Sequence, residues 1–171
     1  QDVITGLPNR AQVALRSTLV LKHAKTPHEQ VAMIVIDVDN FKTLNDSLGH
    51  AAGDQMLREV GFRLSQFADE RSVVGRLSGD EFLILLRNVQ GTAAAAHMVT
   101  ALMEAVGQPM TLADMPVNVS ISAGIAMFPA DGDQFDALFG RADSALYAAK
   151  RGGRGTYQFA NATMNEAALE R

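Results

Sequence analysis

The 171-residue chain contains no cysteine and no tryptophan, and aromatic residues make up only 6% of it. Without cysteine the protein has no disulfide, no thiolate-bound zinc and no cysteine nucleophile. No apolar run is long enough to span a membrane and no signal peptide opens the sequence, so we expect a cytoplasmic domain, of a parent protein that could itself be membrane-anchored. The chain begins at Gln1 without a methionine, which suggests a piece cut from a longer protein.

The remaining composition is that of one ordinary globular domain. Apolar residues account for 47% and charged residues for 20% of the chain, which is enough to build a buried core. The net charge of −4 argues against nucleic-acid binding, which needs a basic surface. A local cationic site for phosphate groups remains compatible with that charge.

Apolar spacing predicts alternating helices and strands. We expect helices at 11–24, 52–67, 92–106 and 135–150, with a short turn before residue 52 and a new helix starting at 161–171. Strands are expected at 31–36, 73–77, 82–86, 108–111, 117–127 and 156–159. The pair 73–77 and 82–86 forms a hairpin, and 108–111 pairs with 117–127. The pattern predicts an α/β (α+β) domain, a mixed sheet flanked by helices.

Two acidic residues stand at unusual positions. Asp37 ends the apolar strand at 31–36, and Asp80 lies at the tip of the hairpin. A carboxylate near a core is costly unless it is paired or binds a metal, and two of them could share a hard cation such as Mg²⁺. The alternative is that Asp37 caps the next turn and Asp80 is an ordinary turn residue.

Other polar residues allow a nucleotide to be read, although each has a simpler explanation. Asp54, with Asn45 beside it, could accept hydrogen bonds from the ring N–H and the exocyclic amine of guanine. The alternative is that Asp54 lies in the first turn of its helix and only complements the helix dipole. Lys150 and Arg154 suit a triphosphate, or only close a helix C-terminus. Lys42 could join them or be solvated, and Arg76 could stabilise the hairpin turn or reach a phosphate.

Four motifs in the same order resemble the GGDEF family of diguanylate cyclases. Residues 2–10 (DVITGLPNR) look like its D-x-L-T-G-L-P-N-R opening, and residues 37–46 (DVDNFKTLND) with Gly49-His50 and Gly53-Asp54 resemble its D-x-D-x-F-K-x-x-N-D…G-H…G-D stretch. Residues 76–82 (RLSGDEF) are similar to R-x-G-G-D-E-F. Residues 142–150 (ADSALYAAK) with Gly153-Arg154 resemble A-D-x-A-L-Y-x-A-K…G-R. The resemblance spans nearly the whole chain and implies a palm-like fold related to nucleotide cyclases and polymerases.

The resemblance also implies roles for individual residues. Asp37, Asp80 and the carbonyl of Val38 would hold Mg²⁺ (or Mn²⁺), and Glu81 would bind metal or help to deprotonate the attacking hydroxyl. Asn45, Asp54 and Leu57 would contact guanine. The phosphates would lie against Phe41, Lys42, Lys150 and Arg154. Each domain would bind one GTP, and two domains would face each other as a homodimer to form cyclic di-GMP.

The chain departs from the family pattern at two places. Ser78 replaces the first glycine of the signature hairpin, which also contains Arg76, Gly79 and Phe82. If that position needed a positive φ, serine would cost about 1 kcal/mol. We expect activity to be retained. The R-x-x-D product-inhibition motif is replaced by Asp69 and Ser72. We therefore expect no product-inhibition site.

The tail from Tyr157 onward resembles the join between a GGDEF domain and a following EAL phosphodiesterase domain. We therefore divide the chain into a GGDEF domain at 1–160 and a linker start at 161–171, with a sensory region expected before it in the parent. The alternative to an active cyclase is a weak or inactive GTP-binding domain that regulates the attached phosphodiesterase.

Overall fold

The computed structural model describes residues 1–24 and 29–161, so the linker helix expected at 161–171 lies outside it from residue 162 onward. The described elements alternate as predicted and confirm the mixed α+β class. The helices are α1 (Arg10–His23), α2 (Phe41–Leu48), α3 (His50–Ser65), α4 (Gly91–Val106) and α5 (Phe135–Arg151). The strands are β1 (Val31–Val38), β2 (Val73–Ser78), β3 (Glu81–Arg87), β4 (Met110–Leu112), β5 (Met115–Val117), β6 (Ile121–Phe128) and β7 (Tyr157–Phe159).

Five strands form the main sheet, in the order β2-β3-β1-β6-β7. The central strand β1 is fully buried and runs antiparallel to β3 on one side and to β6 on the other. The hairpin partner β2 pairs antiparallel with β3, and the last strand β7 runs parallel to β6. Because β1 and β3 are neighbours, the end of β1 and the β2–β3 turn lie at the same edge of the sheet.

The two faces of the sheet carry separate apolar cores. Val31, Met33 and Val35 pack with side chains of α1 and α5, whereas Ile34, Ile36 and Val38 pack with side chains of α3 and α4. Successive strand residues point to opposite faces. Asp37, two residues after Val35, therefore lies on the face covered by α1 and α5.

Helix α5 approaches β6 closely at Gly124. A Cβ atom at this position would lie 2.1 Å from the carbonyl oxygen of Ala142 and 2.3 Å from the backbone nitrogen of Leu146. Both contacts are with helix backbone, which cannot rotate out of the way. The missing side chain at position 124 thus sets the distance between α5 and the sheet.

The opening motif is held against the hairpin. Asn9 caps α1 in a capping box, accepting from the Gln12 backbone N–H at 3.0 Å while the Gln12 side chain accepts from Asn9 at 2.9 Å. The Arg76 backbone N–H donates to the Pro8 carbonyl at 3.1 Å. The carboxylate of Asp2 accepts from the Arg76 guanidinium at 2.9 Å. The opening motif therefore caps α1 and is held against β2.

Two predictions about elements differ from the structure. The turn expected before residue 52 contains a helix, α2, which exposes Lys42, Thr43, Asp46 and Ser47, leaves Asn45 half-buried and buries none of its side chains fully. The expected pair of 108–111 with 117–127 is confirmed only at Met110 and Val117: β4 pairs with β5 in a separate two-stranded sheet, through a turn in which Ala113 and Asp114 have positive φ. Strand β6 instead pairs with β1, and all of its residues are buried.

No helix among the described residues is both long enough and apolar enough to cross a lipid bilayer.

Candidate functional site

The two predicted metal-binding carboxylates lie close together, one on β1 and the other in the β2–β3 turn. Asp37 on β1 is directly opposite Glu81 on β3, and the backbone N–H of Val38 donates to the carbonyl of Asp80 at 3.2 Å. Asp80 follows Gly79 in the tight β2–β3 turn, which returns the chain to the end of β1. The structure thus brings Asp37, Val38, Asp80 and Glu81 together at one sheet edge, as the sequence predicts.

Helix α5 adds a cation to this edge. The ammonium group of Lys150 contacts Oδ2 of Asp37, whose side chain is only 8% exposed. The other oxygen of the same carboxylate, Oδ1, is buried and has no hydrogen-bond partner among the residues that the structure describes. A buried carboxylate oxygen without a partner is unfavourable, and a divalent cation would satisfy it.

The donor set is compatible with Mg²⁺. In residues 1–24 and 29–161, no group of three or more histidine, aspartate or glutamate side chains has the arrangement of a protein-only metal site. Mg²⁺ is usually bound by one or two carboxylates together with substrate phosphates and waters, not by a complete protein cage. Asp37, Asp80 and the Val38 carbonyl, with the partnerless Oδ1, fit that kind of site.

Burial and neighbouring charges shift the ionisation of the acidic groups. Burial raises the pKa of Asp80 and outweighs the opposing influence of Arg76 and Arg154. Burial, and then repulsion from Asp143 on α5, raises the pKa of Glu81 to about 7. Both carboxyl groups are therefore harder to ionise than in water, which is the expected cost of concentrating acids at one edge.

The cationic residues at the C-terminal end of α5 belong to the same site. Burial, and then the positive charge of Arg154, lowers the pKa of Lys150, although its contact with Asp37 acts in the opposite direction. Arg154 is exposed and lies beyond the end of α5, not within it as a dipole explanation would need. Its positive charge opposes the rise in the pKa of Asp80 and lowers the pKa of Lys150, so Arg154 contributes to the electrostatics of this site.

The other predicted phosphate contacts lie on α2. This helix starts two residues after Asp39, with Lys42 exposed and Phe41 partly buried against the core on the α3 side. The first backbone N–H groups of a helix have no partner within it and favour anions. Contact between Lys42 or Phe41 and a phosphate stays a prediction.

Asn45 and Asp54, the predicted guanine-binding residues, come from adjacent helices. The Asn45 side chain covers Gly53, where a Cβ would lie 1.9 Å from Oδ1 of Asn45, and its amide nitrogen is 3.1 Å from a His50 ring nitrogen. Helix α3 begins at His50, so Asp54 lies past its first turn and the expected position for a dipole role is wrong. Leu57, expected against the base, is 2% exposed and packs in the core.

The signature hairpin is a structural unit. Arg76 donates to the Gly79 carbonyl at 2.8 Å and to Asp2, so it stabilises the turn, one of the two roles left open by the sequence. Gly79 has a φ of 46°, whereas Ser78 is not among the described residues with positive φ. Serine therefore replaces the family's glycine without backbone strain. Phe82 is fully buried in the core.

Asp69 and Ser72, the residues at the position of the product-inhibition motif, bond to each other. Oδ1 of Asp69 accepts from the Ser72 hydroxyl at 3.0 Å and from the Arg71 backbone N–H at 2.9 Å. These bonds close a local turn before β2. The absence of a product-inhibition site stays a prediction.

The sequence analysis did not foresee the part that Asp39 takes. Its carboxylate is buried and accepts from the hydroxyls of Ser120 and Ser122 and from the backbone N–H of Gly155. A second acid immediately after a buried strand was the available signal, but its partners lie far along the chain.

Residues 1–156 match the family model described as "Diguanylate cyclase, GGDEF domain". Among curated relatives, the chain is 39% identical over 93% of its length to diguanylate cyclase TpbB of Pseudomonas aeruginosa. It is 36% identical over 99% of its length both to the cyclic di-GMP phosphodiesterase PdeR of Escherichia coli and to MucR of Pseudomonas aeruginosa, a bifunctional diguanylate cyclase/cyclic di-GMP phosphodiesterase. The chain spans 37%, 25% and 24% of the lengths of these three proteins.

The fold also matches solved structures. A structure of TpbB comprising only its GGDEF domain superposes with a TM-score of 0.89 at 37% identity, covering 100% of this chain and 99% of that one. The similarity therefore extends over the whole sheet and its flanking helices.

Proposed function

Because the chain belongs to the GGDEF family, we propose that it is a diguanylate cyclase, which joins two GTP molecules into cyclic di-GMP and releases two pyrophosphates. The observation that carries the proposal is the meeting of Asp37, Asp80 and Glu81 at one sheet edge with Lys150 and Arg154 beside them. Acids and cations at one place suit a metal-bound triphosphate better than they suit a structural ion pair alone.

In the proposed complex, two regions of the site bind different parts of GTP. Asn45 and Asp54 accept and donate at the guanine edge from α2 and α3, where Gly53 leaves room for the Asn45 side chain. Lys150 and Arg154 bind the phosphates, with Lys42 from α2 on the same nucleotide. A carboxylate that accepts from both the ring N–H and the exocyclic amine of guanine would discriminate against adenine, because adenine does not present the same pair of donors.

The proposed chemistry needs two chains. In a two-fold dimer, the ribose 3′-hydroxyl of each GTP attacks the α-phosphorus of the other, and pyrophosphate leaves. Glu81, which lies directly opposite Asp37, would accept the proton of the attacking hydroxyl. Mg²⁺ held by Asp37, Asp80 and the Val38 carbonyl would supply positive charge for the phosphate oxygens and lower the pKa of the hydroxyl.

A second candidate function is a weak or inactive GTP-binding domain that regulates an attached EAL phosphodiesterase. The similarity to PdeR favours it, because that relative is named for phosphodiesterase activity while matching nearly the whole chain. GTP binding needs almost the same residues as catalysis does, so the site alone does not separate the two.

The product formed from GTP and Mg²⁺ separates them. The chain is incubated with both, alone and fused to a dimeric coiled coil, and the nucleotides are separated by chromatography. Cyclic di-GMP supports the cyclase. Binding of GTP without product under enforced dimerisation contradicts the cyclase and supports the regulatory domain, and cyclic GMP would indicate a reaction within one nucleotide.

Asp80→Asn is the matched variant for this experiment. We expect it to reduce turnover by about 100-fold or more, since a metal-binding carboxylate stabilises charge that develops in the transition state. Its circular dichroism spectrum and melting temperature should match those of the parent chain. An unchanged rate would remove Asp80 from the metal site.

A further inference from the structure

Asp39 is the centre of a buried hydrogen-bond network next to the proposed phosphate site. Its side chain is 3% exposed; Oδ1 accepts from Ser122 at 2.6 Å, and Oδ2 accepts from Ser120 at 2.7 Å and from the Gly155 backbone N–H at 2.9 Å. The Ser122 hydroxyl also lies 3.1 Å from the same N–H. The network therefore joins the end of β1, the start of β6 and the segment after α5.

The segment that Asp39 holds has an unusual backbone. Gly153, Arg154 and Gly155 are consecutive residues with φ values of 115°, 64° and 62°. A non-glycine residue in the left-handed region costs about 1–2 kcal/mol, so Arg154 keeps this conformation only because its surroundings enforce it. We call residues 153–155 the arginine turn.

Few other contacts hold the arginine turn in place. All three residues are exposed, and Gly155 lines a cavity of about 580 Å³ between α4 and β7. On the helix side, the Arg154 N–H donates to the Ala149 carbonyl at 3.2 Å. On the strand side, regular pairing resumes only at the Thr156 carbonyl, which accepts from Ala123 at 3.0 Å. Asp39 binds the Gly155 N–H, which lies between these two attachments.

We propose that Asp39 is a positioning residue, which fixes the arginine turn so that Arg154 faces the polyphosphate of the bound nucleotide. The proposal rests on the proposed function, because it needs GTP as the ligand. The two acids of the Asp37-Val38-Asp39 segment would then have different roles. Asp37 faces the cation site, whereas Asp39 contacts no ligand and acts through Arg154. The alternative is that the network only satisfies a buried carboxylate and stabilises the fold.

The test compares Asp39→Asn with Asp131→Asn in the full 171-residue chain. Asp131 is a matched control: its side chain is 4% exposed and accepts from the Met127 backbone N–H at 2.7 Å, at the opposite end of β6 from Ser122. Both variants should lose stability, because each replaces a buried hydrogen-bonded carboxylate. Only Asp39→Asn should weaken the binding of GTP with MgCl₂ in equilibrium dialysis, by about tenfold.

A double-mutant cycle with Arg154→Ala tests whether Asp39 acts through the arginine. We expect Asp39→Asn to add less than about twofold to the loss of GTP affinity in Arg154→Ala, because the turn no longer carries the guanidinium. Additive losses would show that Asp39 acts elsewhere, for example through the neighbouring metal site, and would overturn the proposal. Equal GTP affinities for Asp39→Asn and the parent would overturn it as well.

A milder variant keeps the test decisive if Asp39→Asn does not fold. Ser120→Ala removes one donor to Oδ2 from an exposed residue, and should speed amide hydrogen exchange at Gly155 and weaken GTP binding by about threefold. Unchanged exchange and affinity would contradict the proposal. A parent chain that binds no GTP would instead contradict the proposed function, so the two failures are distinguishable.

Discussion

Lys150 and Asp37 form an ion pair that joins the last helix to the end of the central strand. The lysine neutralises one oxygen of a carboxylate whose other oxygen is buried without a partner. The pair therefore explains how a buried acid at the candidate metal site is tolerated in the folded chain, because the ammonium group compensates the charge of the carboxylate.

Lys150→Met tests this pair. Removing the ammonium leaves a buried carboxylate unpaired and should lower the free energy of unfolding by about 2 kcal/mol in urea denaturation without metal. MgCl₂ should then raise the melting temperature of the variant more than that of the parent, because the cation has no lysine to displace. Arg151→Met is the control: its exposed guanidinium stacks 4.8 Å from the Tyr147 ring, and its loss should cost less than about 1 kcal/mol.

The signature hairpin distinguishes Ser78 from Gly79. Ser78→Gly, which restores the family's glycine, should change activity by less than about twofold, because Ser78 has no strained backbone to relieve. Gly79→Ala should cost about 1 kcal/mol in urea denaturation from its φ of 46° alone, since a Cβ there meets no atom within 4 Å. A large gain of activity in Ser78→Gly would contradict the structure of this turn.

Gly53→Ala should separate nucleotide binding from stability. The added methyl group would lie 1.9 Å from Oδ1 of Asn45, so the Asn45 side chain must move away from the position proposed to contact guanine. We expect a weaker GTP affinity, by about tenfold, without a fall in melting temperature, because alanine favours a helix interior by about 0.5–1 kcal/mol.

Gly140→Ala is the control for that variant. Gly140 lies in α5, and a Cβ there meets no atom within 4 Å. It should gain the same helix stability with no change in GTP affinity. Equal affinities in the two variants would contradict the placement of Asn45 at the base.

The Asp2–Arg76 ion pair should make stability depend on pH. Burial alone would raise the pKa of Asp2, but hydrogen bonds from Thr5 and the charge of Arg76 outweigh burial and lower it. A lowered carboxyl pKa gives stability that is present above the unfolded value near about 4 and is lost as the pH falls through the folded value. Urea denaturation should show Asp2→Asn less stable than the parent by about 1–2 kcal/mol at pH 7, with the gap closing below about pH 4. A gap that is constant with pH would rule out ionisation of Asp2 as its cause.

The parts of the fold with strong local signals could be predicted from sequence. The continuous apolar run at Val31–Ile36 predicts a central buried strand, and the Gly-Asp turn between apolar segments predicts the hairpin that returns Asp80 to Asp37. Helix α2 could not be predicted in the same way. It starts after Asn40, which has a φ of 58° and gives no side-chain cap, so no start signal marks it. Its apolar side chains, Phe41, Leu44 and Leu48, pack against the core, but they are only partly buried and the helix has only eight residues, so the repeat is too short to predict it.

Interactions between distant residues account for the other differences. The β4–β5 turn places Ala113 and Asp114 at positive φ, although alanine gives no turn signal. The candidate metal residues were foreseen because a carboxylate at a buried strand end is locally anomalous. The partners of Asp37 and Asp39 were not, because Lys150, Ser120 and Gly155 reach them only through the pairing of β1 with β6 and the packing of α5.

The packing of α5 at position 124 determines where two charged side chains of the candidate site lie. Helix α5 lies against the bare backbone of Gly124, and it carries Asp143, whose charge acts on Glu81, and Lys150, which contacts Asp37. Even an alanine there would push α5 away from the sheet and displace both of these charged side chains with it. A one-methyl change in the middle of the sheet would therefore displace the charged groups of the candidate site, with every residue of the site still present.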